Sequence, residues 1–283
     1  MTHGESHKLA SVKPILRIYD FVISSGQVGI DRLLKANIFS PMEVENSKII
    51  LMGNTFIGQN DYEFDATSNY LLYAPTWEGG VPEENYSSVD YAAAELIANI
   101  ARDHQINNII IQPHPNLGHR DSSYVVVFQN MLLNLEKAGL TIYVKKSHVS
   151  WKEKWMFFNK NIHLKNASSQ KVRFALVDLS AMEVQLYAKK IPVGVFCHRN
   201  IQNLFIPKFL KHDYVFDFQG HDLALNVKDN THLAHVNERK LNYFIGYHDA
   251  KLEHLNFADR IRWLCSYCSA LKYEKLRQCF EQY

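Results

Sequence analysis

The sequence predicts an α/β fold: a parallel sheet flanked by helices, followed by a C-terminal helix. Three observations predict it. From residue 15 to 196, short apolar runs alternate with longer amphipathic stretches, the pattern of βαβ units. Several runs are continuous rather than alternating, as in strands buried on both faces. Two of them end in polar motifs, Tyr73-Ala74-Pro75-Thr76-Trp77-Glu78-Gly79 and Gln112-Pro113-His114-Pro115, and a parallel sheet presents its loops to ligands at that edge.

The expected strands are 18–24, 48–52, 69–73, 108–111, 140–144, 173–177 and 192–196. Helical periods fall between several of them, at 28–36, 89–104, 122–138 and 181–189. Ser87 and Ser88 stand before the second helix as N-cap candidates, and Asp90 places a negative charge in its first turn. Gly139 follows the third helix as a C′ stop. The segment 256–283 carries Phe257, Ile261, Leu264, Cys268, Leu271, Leu276 and Phe280 at helical spacing, which predicts a terminal helix or helix pair. The stretch 198–250 is mixed, rich in His, Asn and Asp, and gives no clear periodicity.

Composition narrows the function classes. The 283 residues are 47% hydrophobic and 21% charged, enough for one large or two modest domains. A net charge of +2 gives no concentrated basic face, so nucleic acid is not expected as a partner. The pairs Lys145-Lys146 and Lys189-Lys190 read as solvated element ends. No apolar run approaches the ~20 residues of a membrane span, and the N-terminus lacks a signal-peptide pattern, so a cytoplasmic location is expected. Cys197, Cys265, Cys268 and Cys279 show no disulfide-framework spacing, and Cys265-Ser-Tyr-Cys268 reads as core thiols within a helix. His232-Leu-Ala-His235 lacks further ligand partners, so no metal is expected.

Three strand-end turns hold the candidate chemistry. Thr76, Trp77 and Glu78 bring a hydroxyl, an aromatic plane and a carboxylate to the Gly79-Gly80 pair. Pro113 and Pro115 fix the backbone around His114. An imidazole held this way suits acid/base work or a hydrogen bond to phosphate. Asp178-Leu179-Ser180-Ala181 opens the helix carrying Glu183, and backbone N–H groups at such a start can cradle a phosphate.

These motifs, with Asn85-Tyr86-Ser87-Ser88, resemble the CDP-glycerol glycerophosphotransferase family, which includes teichoic-acid polymerases and capsule-polymer polyol-phosphate transferases. The opening His3-Gly4-Glu5-Ser6-His7-Lys8 also resembles a family motif, and the likeness runs over roughly residues 3 to 197. It implies a GT-B fold, in which two Rossmann-like domains face each other across the active-site cleft. This chain then holds chiefly the C-terminal half with its C-terminal helix. The implied boundaries are 1–66 for the end of the N-terminal domain and the connection, 67–250 for the donor-nucleotide domain, and 251–283 for the helical segment. The remainder of the N-terminal domain is expected upstream or on a partner subunit.

The implied reaction moves a glycerol- or ribitol-type polyol phosphate from a CDP-linked donor to a teichoic-acid or capsule polymer, releasing CMP. His3 matches the histidine expected as base, and His114 the one expected near the donor phosphates. Ser180 matches the first serine of the phosphate-binding turn, whose second serine is Ala181 here. Gln185 stands where an acidic residue is often found, with Glu183 nearby. Thr76, Trp77, Glu78, Pro113, Asp178, Ser180 and Glu183 are the expected donor contacts. No cofactor beyond the donor is implied.

The acceptor is a polymer or a lipid-linked saccharide, which brings peripheral contact with the inner membrane face. The final helix, with Arg260, Arg262, Lys272, Lys275 and Arg277, is one candidate lipid surface, although packing is its more ordinary role. Two alternatives stay open: a GT-B glycosyltransferase using a nucleotide sugar, with Glu183 on the ribose, and a non-catalytic nucleotide-binding fragment of a larger polymerase.

Overall fold

The computed structural model describes residues 12–82, 85–145, 150–196, 215–216 and 238–281. Its strands, in chain order, are β1 (Val22–Ser24), β2 (Ile49–Leu51), β3 (Glu63–Phe64), β4 (Tyr70–Ala74), β5 (Asn108–Ile111), β6 (Thr141–Val144), β7 (Ile162–His163), β8 (Lys171–Val172), β9 (Phe174–Asp178), β10 (Val193–Phe196) and β11 (Val215–Phe216). The helices are α1 (Gln27–Lys35), α2 (Pro41–Glu45), α3 (Tyr91–Asp103), α4 (Ser123–Lys137), α5 (Trp151–Met156), α6 (Ala181–Ala188) and α7 (Phe257–Glu281), with a further helical stretch over 238–244. Each of the seven expected strands is present within a few residues. The last segment is one continuous helix, not a pair.

The described residues divide into two compact units, one within 58–241 and the other within 12–57 and 242–281. The first holds a 7-stranded sheet in the order β11-β10-β9-β4-β5-β6-β7. Every neighbouring pair in it is parallel. The chain therefore starts at β4 in the middle, steps outward through β5, β6 and β7, then returns to β9 on the other side of β4 and continues to β10 and β11. Parallel neighbours need crossovers, and α3 and α4 supply two of them.

Odd-numbered residues of β4 and β5 (Leu71, Tyr73, Ile109, Ile111) and even-numbered residues of β6 and β9 (Ile142, Val144, Phe174, Leu176) share one core with α3 and α4. From α3 that core takes Ala93, Ala94, Ile97 and Ala101; from α4 it takes Phe128, Met131, Leu132 and Leu135. The small alanines of α3 let α4 pack directly against it. The outward direction reverses after β9, so a right-handed crossover carries α6 to the opposite face. There it packs on β9 and β10.

The second unit joins both ends of the described chain. β1 and β2 form their own parallel pair and do not enter the main sheet, contrary to the single alternating pattern in the sequence. The backbone of 246–248 runs beside β2, with Gly53 N donating to Gly246 O at 2.8 Å and His248 N to Leu51 O at 2.8 Å. Gly26 permits this approach, since a Cβ there would lie 2.3 Å from Phe244 O. Trp263, Leu264, Tyr267 and Cys268 of α7 pack onto Ile50, Met52 and Leu252. Among the described residues, no helix is long and apolar enough to cross a membrane.

Gly139 ends α4 as the sequence predicts, at φ +92°, with its N–H donating to Glu136 O at 2.9 Å. A Cβ there would meet nothing within 4 Å. The whole cost of a side chain is therefore backbone strain, about 1 kcal/mol. Gly139→Ala is expected to lower the unfolding free energy by about that amount in urea denaturation, with an unchanged circular dichroism spectrum. An unchanged midpoint would contradict this reading of the turn.

Candidate functional site

The three polar turns fall on one edge of one sheet. β9, β4 and β5 are adjacent and parallel, with Ala74 opposite Val177 and Tyr73 opposite Ile111. Their carboxyl ends are thus level to within a residue. At about 4.8 Å per strand, the turns after β9 and β5 start about 10 Å apart. The strand order reverses between β4 and β9, and the chain leaves these two strands in opposite directions. Such a switch point opens a crevice at the carboxyl edge.

Asp178 closes the base of that crevice. Its side chain is fully buried, and Oδ2 accepts from Thr76 N at 2.6 Å and from Ser88 N at 3.1 Å. One carboxylate oxygen of β9 thereby holds both ends of the segment between β4 and α3. Ser87 Oγ donates to Thr76 O at 3.0 Å, and Ser88 Oγ shares a 2.7 Å hydrogen bond with the buried Tyr73 hydroxyl. The expected capping role of these serines is corrected here: Asp90 is the N-cap of α3. Ser87 and Ser88 are the right type for a cap, but their hydroxyls are committed to β4 and its loop.

His114 is held on three sides. Its backbone N–H donates to Pro75 O at 3.2 Å, tying the turn after β5 to the turn after β4. Its ring stacks on Trp77, with centroids 5.9 Å apart and 16° between planes. Asn116 N donates to its Nδ1 at 3.1 Å. An Nδ1 that accepts a hydrogen bond places the proton of the neutral ring on Nε2, a tautomer assigned from the bonding pattern. Nε2 is then a donor, suited to a phosphate oxygen more than to taking a proton. His119, which sequence reasoning passed over although it lies in the same turn, meets Trp77 edge-on at 6.4 Å.

Glu78 has a structural task. Its carboxylate is completely buried and accepts from Gly118 N at 3.0 Å, Arg120 N at 2.9 Å and Asp121 N at 3.1 Å. Burial alone would push its pKa up. The backbone N–H groups of Gly118, Glu78, Asp121 and Arg120 outweigh burial and hold it below the ordinary value. Glu78 was expected as a donor contact. It acts instead as the brace of the 116–121 loop, which lies beside His114.

Ser180 is the N-cap residue of α6, in extended backbone, and its side chain makes no capping bond. The hydroxyl therefore sits at the helix start without serving the helix. Glu183, one turn further, is 3% exposed and faces inward. Lys240 Nζ donates to the Tyr187 hydroxyl at 3.2 Å, which donates to Glu183 Oε1 at 2.9 Å. Oε2 has no partner among the described residues. Burial raises the Glu183 pKa to about 7 against the opposing pull of Lys240 and the Tyr187 hydrogen bond. The Glu183–Tyr187 pair has helical i, i+4 spacing, whereas Lys240 lies 53 residues beyond Tyr187 and carries no local signal.

The fold thus brings Thr76, Trp77, Glu78, Pro113, His114, Asp178 and Ser180 to one sheet edge, with Glu183 in the first turn of α6. His3 and its motif lie outside the described residues. Among the described residues, no group of three or more His, Cys, Asp or Glu side chains is placed to hold a metal ion. No protein-family model matches this chain, and no curated protein matches it in sequence.

Glu78 and Glu183 carry opposite pH signatures. The folded pKa of Glu78 is depressed, so its contribution is present above the unfolded value near 4.5 and lost as pH falls. The folded pKa of Glu183 is raised, so its contribution is complete below pH 4.5 and lost as pH rises to about 7. Glu78→Ala is expected to cost about 3 kcal/mol at neutral pH, by orphaning three N–H groups. Wild type is expected to lose stability relative to Glu183→Gln between pH 4.5 and about 7, on the order of 3 kcal/mol in total. Denaturant titrations across that pH range check both; parallel curves for wild type and Glu183→Gln would refute the second.

Proposed function

We propose that this chain binds the donor in a polyol-phosphate transferase of GT-B architecture, at the cytoplasmic face of the membrane. It transfers glycerol- or ribitol-phosphate from a CDP-linked donor to a teichoic-acid or capsule polymer. The observation that supports this most is the convergence of His114, clasped Thr76 and the Ser180 hydroxyl at one switch point. The Asp178 and Glu78 carboxylates at that edge are taken up by backbone N–H groups, and a helix start with a hydroxyl beside them suits a pyrophosphate.

In this reading an acceptor hydroxyl oxygen attacks the phosphorus that bears the polyol. The bond from that phosphorus to the bridging oxygen breaks, and CMP leaves. The hydroxyl proton goes to a base, the role that the family resemblance gives His3. His114 Nε2–H and the Ser180 hydroxyl donate to the phosphate oxygens, where negative charge grows. Phosphoryl-type transfer has a loose transition state, so oriented donors and charge neutralisation supply most of the acceleration. Trp77 serves by stacking on His114, which fixes the plane of the ring.

The test is product analysis with CDP-glycerol or CDP-ribitol and a polymer acceptor. CMP release in step with acceptor extension is expected. Release of a nucleoside diphosphate from a nucleotide sugar would favour a glycosyltransferase and overturn the proposal. His114→Ala is expected to lower turnover by about 10²-fold or more while its thermal unfolding stays as in wild type. Turnover near the wild-type level would remove His114 from the site.

A further inference from the structure

We infer that α5 and the residue that follows it closely, Phe158, form a docking surface for an anionic lipid bilayer. Trp151 is 85% exposed, Trp155 84% and Phe158 72%. Trp151 and Trp155 stand at i and i+4 on one face of α5, and Phe158 follows two residues beyond its end. Large aromatics this exposed are uncommon on a protein surface, and a contiguous group of them marks an interaction site. Phe157, 5% exposed, anchors the segment in the sheet core. The outward aromatics are therefore surplus to the packing that fixes α5.

The surrounding charge selects the occupant. Between residues 139 and 172 the chain has seven lysines and one acidic residue, Glu153; Lys145 pairs with Asp61 and Lys160 with Glu136. Glu153 is buried in the α5 capping box, where Ser150 Oγ accepts from Glu153 N at 3.2 Å and Ser150 N donates to Glu153 Oε2 at 3.0 Å. Its charge is thus withdrawn from the surface. Lys152 and Lys154 flank the tryptophans in the helix and are exposed. Beside them, Lys154, Lys160, His163 and Lys165 line a depression of about 440 Å³ with Phe158. Tryptophan settles at the level of lipid headgroups, with its ring in the acyl boundary and its N–H towards water. Each lysine adds attraction to anionic headgroups, worth roughly fivefold in binding.

The final helix is less suited to this task. Lys272 pairs with Asp20 at 2.6 Å, and Lys275 Nζ donates to Asn46 O at 3.3 Å. Arg260 is buried and donates to Met52 O, Leu255 O and Glu253 O. Arg262 pairs with Asp259 and Arg277 with Glu281. α5, by contrast, keeps Lys152 and Lys154 exposed, and the segment after it runs to the amino edge of the sheet, where Lys160 pairs with Glu136 near the end of α4. The inference deepens the membrane-face part of the proposed function and does not depend on its transfer chemistry.

The test is flotation of the full chain with vesicles of phosphatidylglycerol and phosphatidylcholine, or of phosphatidylcholine alone. Binding to the anionic vesicles only is expected, weakened in about 1 M NaCl, where the screening length is ~3 Å. Trp151→Ala with Trp155→Ala is expected to reduce partitioning at least tenfold, and Lys152→Glu with Lys154→Glu to reduce it as well. Both variants should keep the wild-type circular dichroism spectrum and CDP titration. Retained CDP binding in a variant that no longer floats separates this surface from the nucleotide site. Three results would overturn the inference: no flotation of wild type at low salt, wild-type flotation of the tryptophan variant, or displacement from vesicles by single-stranded RNA in preference to lipid.

Discussion

The candidate site depends on one buried carboxylate. Asp178 ends β9 where the sheet reverses direction, and its Oδ2 takes the backbone N–H groups of Thr76 and Ser88. Hydrogen bonds to a charged acceptor contribute about 1.5–3 kcal/mol each, and their loss would leave two donors buried beside β4. No helix or strand ladder fixes the segment between β4 and α3. Without the clasp, the segment would lose the two bonds that tie it to β9, while the Ser87 and Ser88 side chains would still bind Thr76 O and the Tyr73 hydroxyl. His114 would follow, because its backbone bonds to Pro75 and its ring rests on Trp77.

A division of labour results among the polar residues at the sheet edge. Asp178 and Glu78 spend their charge on backbone N–H groups and so shape the loops. Glu183 lies inward, in a chain with Tyr187 and Lys240 behind the first turn of α6. At the start of α6 the Ser180 hydroxyl makes no capping bond. A site whose acids face inward and whose donors face outward is suited to an anion. That arrangement, more than any single residue, is why the ligand proposed above is a pyrophosphate and not a cation.

Much of the architecture was legible in the sequence because long apolar runs and 3.6-residue periods survive into the fold. The expected strand at 108–111 is β5, and the helices expected at 122–138 and 181–189 are α4 and α6 to within a residue at each end. Elements of two residues, such as β3, β7 and β8, have too little sequence to show a period. α5 was hidden for another reason: Trp151 and Trp155 point to solvent, so its aromatic stripe marks no core. The three site turns were legible as strand ends, but the tasks of their residues were not. Glu78 reads as a ligand until the loop 40 residues later folds back onto it. Ser87 and Ser88 read as caps until Asp178, 90 residues beyond Ser88, claims that segment. Such assignments depend on contacts that no local pattern encodes.

The central claim is that the Asp178 clasp prepares a nucleotide diphosphate site at the switch point. Calorimetric titration of CDP into wild type and Asp178→Asn tests it most directly. The substitution keeps the shape of the side chain and removes its charge. CDP should bind wild type, and the variant should bind at least tenfold more weakly while remaining folded. Equal affinity in the two proteins, or no binding of CDP to wild type, would contradict the account.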